Sequence, residues 1–121
     1  MAQRVLVISG EQVGSRMAGP AIRALELARQ LAARGMRVTL ATPGEVDAEA
    51  AAAGLTDGLE LAAFGTPSMR GFRALANQHD VVLCQPQRVD VAQGLRRSRA
   101  RIIYDLYVPS FVERIAHLAG E

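Results

Sequence analysis

Residues 5 to 42 constrain the fold more than any other stretch of this chain: an apolar strand, a glycine-containing loop, an amphipathic helix and a second apolar strand follow in that order. The first strand is expected from Arg4 to Ser9, where Val5, Leu6, Val7 and Ile8 run without a polar break. Such a run suits a strand buried on both faces, as in the middle of a parallel sheet. The helix is expected from Pro20 to Arg34, with Gly19 as its cap, Pro20 at its first position and Gly35 as a left-handed stop. Ala21, Ala24, Leu25, Ala28, Leu31 and Ala32 form its apolar stripe, and Arg23, Glu26, Arg29, Gln30 and Arg34 fall on the other side. The second strand, Arg37 to Ala41, closes the βαβ unit.

The same alternation continues. Asp47 to Ala53 reads as a short Ala-rich helix ended by Gly54, and Leu59 to Phe64 as a strand whose Glu60 suggests a sheet edge. Thr66-Pro67 is expected to cap a helix reaching Gln78, followed by a strand from Asp80 to Cys84. A short helix from Val89 to Arg97, a strand from Arg101 to Tyr104 and a loop from Asp105 to Pro109 come next. Ser110 with Glu113 three residues on is a capping box that opens a last helix. Five strands alternating with helices predict a three-layer α/β/α, Rossmann-like domain with a parallel sheet in the order 3-2-1-4-5 and right-handed crossovers.

The length of 121 residues suits one such domain. All fourteen basic residues are Arg, spread along the chain except at Arg96, Arg97, Arg99 and Arg101, and the net charge is +2. That balance fits a GC-rich genome better than a nucleic-acid surface, so no nucleic-acid partner is expected. The single cysteine, Cys84, excludes an intrachain disulfide and reads as an inert core thiol in a reducing compartment. With no leader-like start and no apolar run near the ~20 residues of a membrane span, a cytoplasmic location is expected. Contact with a membrane surface is left to regions outside this sequence.

In a parallel sheet of this order, ligands sit beyond the carboxyl ends of the strands where the order reverses, here between the first and fourth strands. The loop from Gly10 to Gly19 faces that point and is too long for a bare connection. Gly14 and Gly19 let backbone approach a ligand, the helix opening presents N–H groups, and Arg16 adds charge. A phosphate or diphosphate is the natural ligand, although each glycine also serves as a plain turn residue. The spacing matches neither G-x-G-x-x-G nor G-x-x-x-x-G-K-[ST], which argues against a nicotinamide cofactor or a P-loop. Gln85 and Gln87 offer hydrogen bonds to a sugar, or form a solvated turn. Asp105, with Tyr107 beyond it, binds substrate hydroxyls or structures its own loop. Neither His79 nor His117 has metal-ligand spacing with Cys84, so no metal is expected, and no nucleophile elbow appears.

The stretch GSRMAGPAIRALELARQLAARGMRVTLAT, residues 14 to 42, resembles the start of bacterial family 4 glycosyltransferases of the GT-B fold. Met17-Ala18-Gly19-Pro20, Leu25-Glu26-Leu27-Ala28 and Arg34-Gly35-Met36-Arg37-Val38-Thr39 carry the likeness, and Asp80-Val81-Val82 and Tyr104-Asp105-Leu106-Tyr107 extend it in order towards Glu113. The resemblance implies the N-terminal, acceptor-side domain of a two-domain enzyme whose C-terminal domain, absent from this sequence, holds most of a nucleotide-sugar donor. It further implies a retaining transfer to an acceptor it does not identify, without a cofactor, and an isolated domain that is inactive. By the same resemblance the Gly19 loop faces the donor diphosphate, and Gln85, Gln87, Asp105 and Tyr107 face the acceptor or transferred sugar, with Asp105 the candidate for a catalytic role. Two positions depart from the pattern: many relatives have a His after the fourth strand, where Gln85-Pro86-Gln87 stands, and close relatives have an Asp where Val108 stands. The alternative expectation is a free-standing Rossmann-like module that binds an anion without chemistry.

Overall fold

A computed structural model of the chain describes residues 2–106. The expected capping box at Ser110 and Glu113, together with Tyr107, Val108 and His117, lies outside the described residues.

Five strands, β1 (Arg4–Ile8), β2 (Arg37–Pro43), β3 (Glu60–Phe64), β4 (Val81–Cys84) and β5 (Arg101–Tyr104), form one sheet. All pairings are parallel, and the order is β3-β2-β1-β4-β5, as expected. Among the described residues four helices alternate with them: α1 (Gly19–Ala33), α2 (Ala48–Ala52), α3 (Met69–Ala76) and α4 (Val89–Arg96).

The period of two along β1 sorts its side chains onto two cores. Val5 and Val7 pack with Val38 and Leu40 of β2 under Ala21, Ala24, Leu25 and Ala28 of α1. Leu6 and Ile8 pack on the opposite face with Ala41 and Val82, under Phe72 and Ala76 of α3 and Val91 and Leu95 of α4. Both faces are covered, which is why the central strands carry continuous apolar runs. Each fully buried Leu, such as Leu6 or Leu40, contributes on the order of 1.5–3 kcal/mol.

The ends of α1 follow from local chemistry. At its C-terminus Gly35 takes φ +89°. Its N–H donates to the Ala32 carbonyl (3.0 Å) and that of Met36 to the Leu31 carbonyl (3.3 Å), the two bonds of a Schellman stop. At the N-terminus the cap is Ala18 rather than Gly19, so Gly19 is the first helical residue and Pro20 the second. Ala18 has an extended backbone that supplies the first helical carbonyl, which accepts from Ile22 N–H at 3.1 Å. The α3 cap also differs from expectation: Ser68, not Thr66-Pro67, accepts from Gly71 N–H (3.1 Å), and the helix starts at Met69. Pro67 favours an extended residue before it, which keeps Thr66 out of the helix.

Glu60 marks a true edge. It lies on β3, the outermost strand on its side, and accepts from Arg37 Nε at 2.7 Å. That bond, ahead of a weaker one from Thr39, holds its carboxyl below the ordinary carboxylate range. His79 is buried for structural reasons, its ring spanning the Leu75 carbonyl (2.9 Å) and the Thr39 hydroxyl (3.0 Å).

Candidate functional site

The strand order reverses between β1 and β4, which stay paired up to their last residues, Ile8 and Cys84. A crevice opens at that place, lined by Ser9 and Gly10 after β1, Pro20 and Ala24 of α1, Gln85 after β4 and Asp105 after β5. Its volume is about 10 Å³, the space of one water. A group the size of a diphosphate does not fit inside it.

Two of the residues singled out from sequence, Gln85 and Asp105, come together on this crevice, and Gly19 adjoins it through Pro20. The first turn of α1 points its dipole at the same place. Pro20 has no N–H and Ala21 is fully buried, so the helix opening offers the N–H of the exposed Gly19. No acidic residue stands in that first turn.

Asp105 is tied down on two sides. Its backbone N–H donates to the Cys84 carbonyl (2.7 Å), extending the β4–β5 pairing by one step. Its carboxylate receives a bidentate pair from Arg23 of α1, Nε to Oδ2 at 2.6 Å and Nη2 to Oδ1 at 2.9 Å. The Asp105 side chain is 16% exposed and that of Arg23 is 43% exposed. Arg23 was placed on the outer side of the helix by its spacing alone. Its helical position nevertheless tilts the side chain back towards the N-terminal turn, where the crevice lies. A charged residue one turn inside a ligand-facing helix end was the signal available in the sequence.

Gly14 and Arg16 sit elsewhere on the long loop, outside the crevice lining. The loop is held in three places. Val13 is fully buried in the core under α1. Gln12 Nε2 donates to the Glu45 carbonyl. Asp47, the N-cap of α2, accepts from Ser15 N–H (2.8 Å), Ser15 Oγ (3.0 Å) and Ala50 N–H (2.7 Å). The Ser15 backbone bond is the largest cause, with the Ala50 bond next, of an Asp47 carboxyl held below its ordinary range. Gly14 is buried against the Asp47 carboxylate, and any Cβ there would collide with it. The absence of a side chain at residue 14 thus serves this internal contact. Arg16 is exposed.

Gln87 turns back on its own loop, its Nε2 donating to the Gln85 carbonyl (2.8 Å). Tyr107 lies outside the described residues. Cys84 ends β4 as a buried free thiol, and burial pushes it up to about 12. Among the described residues no group of three His, Cys, Asp or Glu is arranged to hold a metal ion, and no helix is long and apolar enough to cross a membrane. Gly10 opens the loop expected to face this point and does line the crevice, whereas Ser9 was missed; it directly follows the β1 run and is brought there by its central place in the sheet. No family model, curated protein or solved structure matches this chain.

Proposed function

We propose that this chain is the acceptor-side domain of a family 4 glycosyltransferase, which moves a hexosyl unit from a nucleotide-sugar to an acceptor. The observation that carries the reading is the crevice at the β1/β4 reversal, where Gln85 and Asp105 meet the opening of α1. The donor diphosphate lies over the Gly19 turn. Negative charge grows on that group as the sugar departs, and a helix N-terminus with an arginine nearby stabilises it without rearranging. Gln85 orients the sugar or acceptor through its amide. A second domain, which carries the nucleotide, forms the facing wall, so catalysis is chiefly positioning across the closed cleft.

Titration with pyrophosphate tests the anion site. Amide resonances of Gly10, Gly19, Ala21, Gln85 and Asp105 are expected to move together at millimolar concentration. Movement elsewhere only, or none, refutes the reading. The chain by itself is expected to transfer no sugar from any nucleotide-sugar, and turnover by it alone contradicts the two-walled cleft.

One observation favours an anion-binding module without chemistry: Asp105 is paired with Arg23, and among the described residues that line the crevice there is no other carboxylate. Sugar transfer on joining this chain to a donor-binding domain decides against the module.

A further inference from the structure

We infer that His79, Thr39 and Glu60 form a proton-operated relay, in which protonation of the buried His79 ring turns the Thr39 hydroxyl from His79 towards Glu60 and ties the end of α3 to the edge strand β3.

The hydrogens along this line can be counted. His79 Nδ1 lies 2.9 Å from the Leu75 carbonyl. A carbonyl only accepts, so Nδ1 carries a hydrogen in every state that keeps this bond. A neutral ring has one such hydrogen, which leaves Nε2 a bare acceptor. Nε2 faces the Thr39 hydroxyl at 3.0 Å, and the same Oγ1 lies 3.4 Å from Glu60 Oε2. The other Glu60 oxygen is taken by Arg37 Nε at 2.7 Å. Beside a neutral ring, Thr39 thus has one hydrogen for two acceptors, and His79 is the nearer. All three bonds form together only with an imidazolium. Nδ1–H then donates to Leu75, Nε2–H donates to Thr39, and the Thr39 hydroxyl donates to Glu60.

The surroundings carry charges of both signs. Leu75 stands in the last turn of α3, so its carbonyl belongs to the negative end of the helix dipole and favours a cation. Glu60 of β3 and Asp80, next in the chain, add negative charge. Asp80 is held in place by Arg4 N–H at 2.8 Å. Arg37 of β2 and Arg4 of β1, whose positive charges both act on Glu60, oppose the imidazolium. Arg37 is 58% exposed, so water screens its share. Thr39 and His79 are both buried, and bulk water does not replace a bond lost between them. A proton gained by the ring therefore emerges as one more bond on the β3 edge. Protonated, the line from α3 through β2 to β3 is complete; neutral, it is one bond short. The ring gains one proton from solvent, and no heavy-atom bond forms or breaks.

Nitrogen-detected NMR of the His79 ring, with carbon-detected titration of Glu60 in the whole chain, tests this. The neutral ring is expected as the Nδ1–H tautomer, and on acidification the new hydrogen appears on Nε2. The Glu60 carboxyl carbon is expected to show a step at the midpoint of the ring in addition to its own. Thr39→Val keeps every charge and removes the hydroxyl, so most of that step should be lost, whereas Thr39→Ser should retain it. A neutral Nε2–H tautomer overturns the relay, as does a ring that takes up no proton before the chain unfolds. Both are read on the unaltered chain and need no variant to fold. A Glu60 step as large in Thr39→Val as in the original also overturns it, because charge acting through space then accounts for the coupling.

Discussion

Gly94 of α4 lies against the backbone of Met69 at the first turn of α3, so close that a Cβ on residue 94 would stand 2.9 Å from Met69 Cα and nearer still to its carbonyl oxygen. The two helices share one face of the sheet, and this contact sets how closely they approach. Gly94→Ala is expected to destabilise the fold. Ala returns about 1 kcal/mol of helix propensity, but forcing two backbones apart costs about 1–3 kcal/mol, and backbone cannot rotate aside as a side chain does. Urea unfolding of the variant should show a lower midpoint at unchanged slope.

Val13 ties the long loop to the core under α1, where it is fully buried. Val13→Ala removes two methyl groups and leaves a small void, an expected loss of about 1.5–3 kcal/mol. Hydrogen exchange at Ser15 should quicken more than at Val7, because the loop loses its anchor while the sheet keeps its own.

Asp47 supplies a pH dependence whose sign is set by its bonds. Its carboxyl is held below the ordinary value of 3.8, chiefly by the Ser15 N–H and then by the Ala50 N–H. A depressed carboxyl stabilises the fold at pH above its unfolded value, and that contribution is lost as pH falls through the folded value. The Gly14–Ser15 turn should therefore hold at neutral pH and come away from α2 in acid. Carbon-detected titration of Asp47 is expected to give a midpoint below 3.8, with the Ser15 amide resonance moving in step. A midpoint at or above that value contradicts the bonding.

Cys84 should resist alkylation while the domain is folded. Burial raises its thiol to about 12, so almost no thiolate exists near neutral pH. Iodoacetamide is expected to label it only after denaturant is added. Rapid labelling of the native chain would mean that the β4 end opens far more often than its packing implies.

The alternation of apolar runs and helical stripes was enough to place all five strands and their order. Central strands must be apolar on both faces, and an edge strand tolerates Glu60, so position in the sheet is written into composition strand by strand. Helix ends were less legible. Gly19-Pro20 and Thr66-Pro67 both look like openings, yet the chain starts α1 from Ala18 and α3 from Ser68, since a cap is decided by backbone conformation over several residues.

The site divided along the same line. Gln85 and Asp105 reach the crevice because each directly follows a strand whose place the pattern already determined. Gly14 was read as room for a ligand, and its space is taken by Asp47 from a helix more than thirty residues away. Arg23 was read as a solvent-facing charge, and it meets a carboxylate that is 82 residues distant in sequence. Periodicity reports which face of an element is apolar, and the sequence alone determined that much, together with the strand order. Which charged groups meet across the ends of the strands depends on how the sheet brings separate loops together, and only the tertiary structure decided that.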